Sequence, residues 1–155
     1  MSLRRLVALV VVVALAVGAG AWLLRSTDDD DPFTTYCAEV EERRGELGAA
    51  LAAGERLGLI RALPTFELLA EKAPEDLRDE WRIVIDRVTE VRDAFADADV
   101  DPATYDPEKP PKDLPKADVD AIQAAAVRLG ARETKLALAG VSQQARDVCK
   151  TPLSL

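Results

Sequence analysis

The chain has 155 residues, of which 20 are Lys or Arg, 28 are Asp or Glu and none is His. This length suits one domain of ordinary size, since domains have ~100–200 residues. The absence of histidine excludes Ser-His-Asp and Cys-His catalysis, histidine metal sites and an imidazole pH switch. Residues 26–155 hold all 28 acidic residues and 17 of the basic ones, so their net charge is −11. Such an acidic surface argues against a nucleic-acid partner, because phosphate binding requires positive charge.

The N-terminus carries the features of a membrane-spanning segment. Arg4 and Arg5 precede an apolar run, residues 6–24, which has no charged side chain and ends at Arg25. A helix of this length spans roughly 28 Å at ~1.5 Å per residue, close to the ~30 Å of a bilayer core. Because basic residues favour the cytoplasmic side, we expect the N-terminus inside and the rest of the chain outside.

These features predict three regions along the chain. A signal-anchor transmembrane segment covers residues 1–25, an acidic stalk covers 26–32, and an extracytoplasmic helical domain covers 33–155. The membrane is then a partner through residues 6–24. The expected localisation is the cell membrane, with the N-terminus cytoplasmic and the C-terminal domain outside.

The alternative is a cleaved signal peptide followed by a secreted protein. Residues 6–17 fit the apolar core of such a peptide, and Ala19-Gly20-Ala21 fits its cleavage site. The apolar run nevertheless continues beyond that site, and Trp22 suits the membrane interface, which favours the uncleaved anchor. Both interpretations export the remainder of the chain.

Cys37 and Cys149 are the two cysteines of the chain, and they are 112 positions apart. In an oxidising compartment two such thiols pair, and closing so long a loop stabilises a fold by ~4–5 kcal/mol in the chain-entropy model. A redox-active pair is the alternative, but those cysteines are usually close in sequence, as in Cys-X-X-Cys. We therefore predict a structural disulfide that fastens the first helix of the domain to the last.

Helical periodicity begins after Asp31, which suits an N-cap, and Pro32, which suits the first position of a helix. Apolar residues three and four apart then predict a first helix over about 33–53 and a second over about 57–73. Pro64 lies inside the second helix. Because proline removes a backbone donor and clashes with the preceding turn, we expect a new segment or a kink there.

The third predicted helix opens with Pro74 and carries the clearest apolar stripe of the chain. Its apolar residues recur at alternating steps of four and three, which predicts the central helix of the core. A fourth helix is predicted at about 115–129 and a fifth at about 132–148. The stripe of the third helix comprises Leu77, Trp81, Val84, Val88, Val91 and Phe95.

No segment alternates with a period of two for long, and no Asn-Gly or Asp-Gly hairpin turn occurs. The predicted fold class is therefore all-α: an N-terminal transmembrane helix followed by an antiparallel bundle of four to five helices. The proline-rich segment 102–115 is expected to be a stiff crossover with Tyr105 packed on the bundle. Its alternative is a polyproline II strip for a partner's aromatic groove. Leu153 and Leu155 favour a tail that docks on the bundle.

One acidic segment invites comparison with the calcium loop of EF-hands. The oxygen ligands at positions 1, 3, 5 and 12 of that loop match Asp97, Asp99, Asp101 and Glu108. Position 6 of the loop requires glycine, whereas this chain has Pro102, whose φ near −65° forbids a left-handed turn. We therefore expect a solvated acidic turn, with the four carboxylates as weak metal candidates and no bound metal or cofactor.

The sequence contains none of the common catalytic motifs. The four serines lie outside any Gly-x-Ser-x-Gly elbow, and the eight glycines are scattered without the Gly-Lys-Ser or Gly-Lys-Thr of a phosphate loop. The many carboxylates are typical of solvated helix faces rather than of a glycosidase pair. We therefore expect no enzymatic activity and assign no catalytic residue.

Four segments, taken in order, resemble a group of small exported or membrane-anchored helical proteins of actinobacteria that have a cysteine near each end of the ectodomain. The resemblance covers most of residues 33–155. It implies an exported helical domain, and it provides no catalytic residue because the group has no established activity. The segments are Pro64-Thr-Phe-Glu-Leu-Leu-Ala70, Ala73-Pro-Glu-Asp-Leu-Arg-Asp-Glu-Trp81, Val100-Asp-Pro-Ala-Thr-Tyr-Asp106 and Gln143-Gln-Ala-Arg-Asp-Val-Cys149.

These observations favour one function over another. The first is a single-pass, membrane-anchored helical domain that binds another protein or an envelope component outside the cytoplasm. The alternative is a cleaved, secreted protein that binds a small ligand or a cation.

Overall fold

A computed structural model describes residues 31–155 of the chain. This part contains five α-helices, one 3-10 turn and no β-strand, which confirms the all-α fold class and the helical bundle. The helices are α1 (Pro32–Leu51), α2 (Glu55–Lys72), α3 (Arg78–Asp97), α4 (Lys116–Leu129) and α5 (Arg132–Asp147).

The predicted membrane span at residues 6–24 and the cleavage site of the alternative interpretation lie outside the described residues. Between residues 31 and 155, none of the helices has the length and the apolar character that crossing a membrane demands. The predicted stalk also lies outside, apart from its last two residues. Of these, Asp31 caps α1 and Pro32 begins it.

The N-terminus of α1 forms as its sequence predicts. The Asp31 carboxylate accepts a hydrogen bond of 2.9 Å from the backbone N–H of Phe33. Pro32 occupies the first helical position, where no backbone donor is needed. The helix ends at Leu51, two residues before the predicted end, because the chain already turns there. Gly54 completes the turn with φ 97° and ψ 164°, a conformation that residues with a side chain rarely adopt.

The expectation of a new segment at Pro64 is wrong, because α2 continues through this residue as one helix. Pro64 itself is exposed, while Leu63 and Phe66 beside it are almost fully buried in the core. Burial of these neighbours therefore overrides the helix-breaking preference of the proline.

Pro74 does not open an α-helix as predicted. It precedes a 3-10 turn, Glu75–Leu77, which is closed by a hydrogen bond of 3.0 Å from the Leu77 N–H to the Pro74 carbonyl, and α3 follows at Arg78. The apolar stripe predicted for this region is confirmed, since all six of its residues are at most 5% exposed: Leu77, Trp81, Val84, Val88, Val91 and Phe95.

The helix α3 lies at the centre and packs against α2, α4 and α5, while α1 packs against α2. The helix α5 runs antiparallel to α3, because Arg87 pairs with Glu133 whereas Glu80, earlier in α3, lies against Gly140, later in α5. Short turns join α1 to α2 and α4 to α5. The bundle thus consists of the α1–α2 hairpin, which packs on α3 through α2, and of α4 and α5, which follow one another along α3 and both run antiparallel to it.

One end of the bundle is closed by the predicted disulfide. Cys37 near the start of α1 is bonded to Cys149 just after α5, with 5.0 Å between the two Cα atoms. Beside it, the indole N–H of Trp81 donates a hydrogen bond of 3.3 Å to the Tyr36 hydroxyl, and both side chains are fully buried. The expectation of a bridge between the first and last helices is confirmed.

The C-terminal tail, residues 150–155, runs from the disulfide along α1 and docks on it as far as Gly48. Leu153 is buried, and the backbone N–H of Leu155 donates a hydrogen bond of 3.1 Å to the Arg44 carbonyl. The Arg44 guanidinium donates one of 2.9 Å to the Thr151 hydroxyl. The tail lies so close to α1 that a Cβ atom added to Gly48 would collide with the Leu155 carbonyl. The Leu155 side chain, by contrast, is 73% exposed.

The proline-rich crossover between α3 and α4 packs on the bundle, as expected. The ring of Tyr105 contacts the buried ring of Phe95 edge-on, with 5.3 Å between the ring centroids. Before the crossover, Asp99 adopts φ 52° and the Val100 N–H donates to the Phe95 carbonyl, which is the hydrogen bond of a Schellman motif at the end of α3.

Candidate ligand groove at the junction of α4 and α5

An open groove of about 480 Å³ lies away from the disulfide, where the turn between α1 and α2 faces the junction of α4 and α5. All five helices contribute to its lining, and the buried side chain of Val91 lies at its floor. Gly54, from the turn between α1 and α2, and Gly130, from the turn between α4 and α5, border it as well. Its apolar side chains are Leu51, Leu59, Val91, Ala126, Leu129 and Leu138.

Glycines allow the walls of the groove to form. Gly58 lies so close to α1 that a Cβ atom added there would be 2.8 Å from the Leu51 carbonyl oxygen, well inside ordinary contact distance. The α1–α2 hairpin is therefore drawn tightly together at this end. On the opposite wall Ala126 projects only a methyl group. The groove is the gap that remains between the α1–α2 turn and the junction of α4 and α5.

Lys135 is the one charged side chain among the lining residues that the structure describes. It is exposed and forms no ion pair with the side chains described between residues 31 and 155. An ammonium group therefore stands at the edge of an otherwise apolar surface, on a domain that is acidic overall.

The neighbouring carboxylates are neutralised by arginines. The Arg128 Nε atom lies 2.6 Å from a carboxylate oxygen of Glu90, and Arg87 pairs with both Glu90 and Glu133. The hydrogen bond from Arg128 lowers the pKa of Glu90, and the nearby charges of Arg128 and Arg87 add to this effect. These four residues carry no net charge together, so they do not cancel the charge of Lys135.

No known protein family, no curated protein and no solved structure matches this chain. The chemistry of the groove is therefore argued from its own residues.

A second, smaller recess of about 300 Å³ lies on the other side of α4. Tyr105 and Pro107 of the crossover form one wall, and Val119 and Ile122 belong to the α4 side. Ala126 lines both recesses, so the apolar surface continues around α4. Val127, which also lines the recess, is 67% exposed and is part of this apolar surface.

The four acidic residues considered for calcium follow α3 but serve other purposes in the structure. Asp97 is the last residue of α3, and Asp99 supplies the left-handed residue after it. The Asp101 carboxylate accepts a hydrogen bond of 2.9 Å from the N–H of Ala103.

The last candidate, Glu108, donates its backbone N–H to the Asp106 carboxylate at 2.9 Å. No group of three or more His, Cys, Asp or Glu side chains between residues 31 and 155 has an arrangement that could hold a metal ion. Asp101 and Asp106 thus act as caps of local turns.

The groove is absent from the expectations drawn from the sequence. Leu51, Leu129 and Leu138 all belong to apolar stripes that predict core positions, yet each is only partly buried and faces the groove. Periodicity shows which face of a helix is apolar, but it does not show whether a neighbouring helix covers the whole of that face. The only sequence signal is Lys135 among apolar residues of α5.

Proposed function

We propose that this chain is a single-pass membrane protein whose helical domain lies outside the cytoplasm and binds a protein or an envelope component. The bond between Cys37 and Cys149 is the observation that carries this proposal, because disulfides persist in oxidising compartments and are rare in the cytosol. The uncharged run at residues 6–24, preceded by Arg4 and Arg5, supports the anchor and its orientation.

The placement of the groove agrees with a role in binding. The apolar run at residues 6–24 precedes the domain, whose first helix is capped by Asp31. The groove begins at Leu51, at the other end of the same helix. With 20 residues at ~1.5 Å each, α1 separates the two by about 30 Å. In this proposal the anchor holds one end of the domain at the membrane and presents the groove away from it.

Binding is favoured over catalysis because of the side chains available. The chain has no histidine, and the lining of the groove that the structure describes contains no carboxylate, hydroxyl or thiol. Lys135 is the one group in the described lining that could act as a base or a nucleophile, and no second side chain there could activate or orient it. Apolar side chains with a single ammonium group are instead typical of a binding pocket.

Protease accessibility tests the membrane topology. The full chain is expressed with a C-terminal epitope tag, and spheroplasts are treated with protease before and after lysis. We expect the tag to be lost from intact spheroplasts while a cytoplasmic marker protein survives. Loss of the tag only after lysis would reject the outward orientation. The mass of the untreated protein separates the alternatives, since a cleaved product lacks the first 21 residues.

Photo-crosslinking in intact cells tests the binding role of the groove. A photoreactive amino acid replaces Lys135 in one variant and Lys72, an exposed lysine at the opposite end of α2, in a matched control. We expect a discrete adduct only from position 135, and we expect Ala126→Trp, which fills the groove, to abolish it. Equal adducts from both positions would contradict a binding role for this surface.

A further inference from the structure

We infer that the groove binds a single-chain amphiphile with an anionic head, of the chemical class to which fatty acids and alkyl phosphates belong. This inference rests on the binding role proposed above and assigns a ligand class to it. It does not depend on the side of the membrane on which the domain lies.

The size of the groove indicates a small ligand rather than a protein. Nine residues line it, whereas a standard protein–protein interface uses ~20–30 residues on each side. Its volume of about 480 Å³ falls within the range of ~300–1,000 Å³ that is usual for small-molecule sites. One flexible chain fits this space better than the face of a partner helix.

The side chains that line the groove indicate that the body of the ligand is apolar. Side chains from all five helices present methyl and methylene groups to the groove, and no described lining side chain other than Lys135 can donate or accept a hydrogen bond. A ligand with polar groups along its length would lose its hydrogen bonds to water without replacement. An unbranched alkyl chain loses none, and its transfer from water to the groove is favourable.

The charges around the groove indicate that the head group of the ligand is anionic. Lys135 lies at the edge of the groove, where its ammonium group remains in contact with water and with the end of a bound chain. The paired residues Arg87, Glu90, Arg128 and Glu133 contribute no net charge nearby. Elsewhere the domain is strongly acidic and repels anions, so this is a local preference for a carboxylate or a phosphate.

Photoaffinity labelling of the full chain in nanodiscs tests the site. The probe is dodecanoic acid with a diazirine at the end of its chain, and labelled residues are mapped by mass spectrometry. We expect labels on the residues that line the groove. Ala126→Trp should remove them, whereas Ala139→Trp, at an exposed position on α5, should not. Labels distributed over the domain, or unchanged by Ala126→Trp, would overturn the inference.

Competition and charge variants test the head group. Unlabelled dodecanoate and dodecyl phosphate should displace the probe about fivefold better than dodecanol, which corresponds to the ~1 kcal/mol of an exposed ion pair. Lys135→Gln should remove this advantage, and Lys112→Gln, a change at an exposed lysine of the crossover, should leave it intact. If dodecanol and dodecyltrimethylammonium displace the probe as well as dodecanoate does, the inference of an anionic head is overturned.

The length of the alkyl chain provides a separate measurement. Each methylene removed from the competitor should weaken displacement about fourfold, which corresponds to ~0.8 kcal/mol per buried methylene. Affinity independent of chain length would overturn the apolar fit. Since labelling is performed on purified protein, these outcomes are independent of the protease experiment, which alone decides whether the domain lies outside the cytoplasm.

Discussion

The two ends of the helical bundle are built on different principles. The bridged end, defined by the Cys37–Cys149 disulfide and the Tyr36–Trp81 pair, is held by covalent, hydrogen-bonded and fully buried contacts. The groove end, defined by the turns at Gly54 and Gly130 and by the lining of the groove, is closed only by short turns and leaves its leucines partly uncovered.

This difference separates stability from recognition within one small domain. At the bridged end, a substitution removes contacts that the rest of the fold depends on. At the groove end, apolar side chains are kept accessible, and the buried apolar stripe of α3 connects the two ends. Substitutions at the two ends should therefore differ both in the size of their effects on stability and in their effects on ligand binding.

The largest effect is expected from loss of the disulfide. In the full chain, Cys37→Ala combined with Cys149→Ala should lower the free energy of unfolding by ~4–5 kcal/mol, because a loop of more than a hundred residues is no longer closed. Urea unfolding followed by circular dichroism measures the change. A reductant should destabilise the parent chain and leave the double variant unaffected. A loss below ~1 kcal/mol would show that the bridge does not hold this end.

The next effect in size appears at alkaline pH. Burial raises the pKa of Tyr36 from its ordinary value of 10.0 to about 12, although the hydrogen bond from Trp81 acts in the opposite direction. The neutral phenol is therefore favoured in the folded state. Its contribution is complete below pH 10 and is lost as the pH rises toward 12, which amounts to ~2–3 kcal/mol at ~1.4 kcal/mol per pKa unit.

The control for this effect is Tyr36→Phe, which cannot ionise. Between pH 10 and pH 12, the parent chain should lose stability more steeply than the variant, and the two slopes should agree below pH 9. Parallel curves across the whole range would mean that the Tyr36 hydroxyl is not desolvated in the folded protein.

The sequence was sufficient to predict the features that depend on local patterns or on few combinations. The apolar stripe of α3 follows from its period, and the cap at Asp31 follows from residue preferences at helix ends. The disulfide follows from arithmetic, since two cysteines can pair in only one way. These features dominate the bridged end, which is therefore the more predictable part of the molecule.

The features that were not predicted depend on contacts between distant segments. Continuity of α2 through Pro64 depends on the burial of its neighbours, which no local rule contains. The groove depends on where Leu59 of α2 and Leu138 of α5 stop short of each other. The docking of the tail was expected, but its partner, Gly48, was not. Such relations arise from the relative placement of helices and not from the pattern within one.

A smaller effect concerns the contact between the tail and Gly48 of α1, and it is best measured as a coupling between two changes. In the full chain, Gly48→Ala should be neutral or destabilising, because the new Cβ displaces Leu155 and breaks its hydrogen bond to the Arg44 carbonyl. In a chain that ends at Ser154, the same substitution should stabilise α1 by ~0.5–1 kcal/mol, since alanine favours the helix. A double-mutant cycle should yield a coupling of ~1 kcal/mol, and additivity would show that the tail does not lie against Gly48.

The smallest effect is expected beyond the groove end and has the opposite sign. Asp99 follows α3 with φ 52°, a left-handed conformation that glycine adopts without strain. The negative charge of Asp99 also stands beside the carbonyl groups of a helix C-terminus, where it is unfavourable. Asp99→Gly should therefore raise the free energy of unfolding by ~0.5 kcal/mol, whereas Asp97→Gly, two residues earlier and still within the helix, should lower it by ~0.5–1 kcal/mol. If both substitutions destabilise the chain equally in urea unfolding, α3 does not end in the Schellman motif at Asp99.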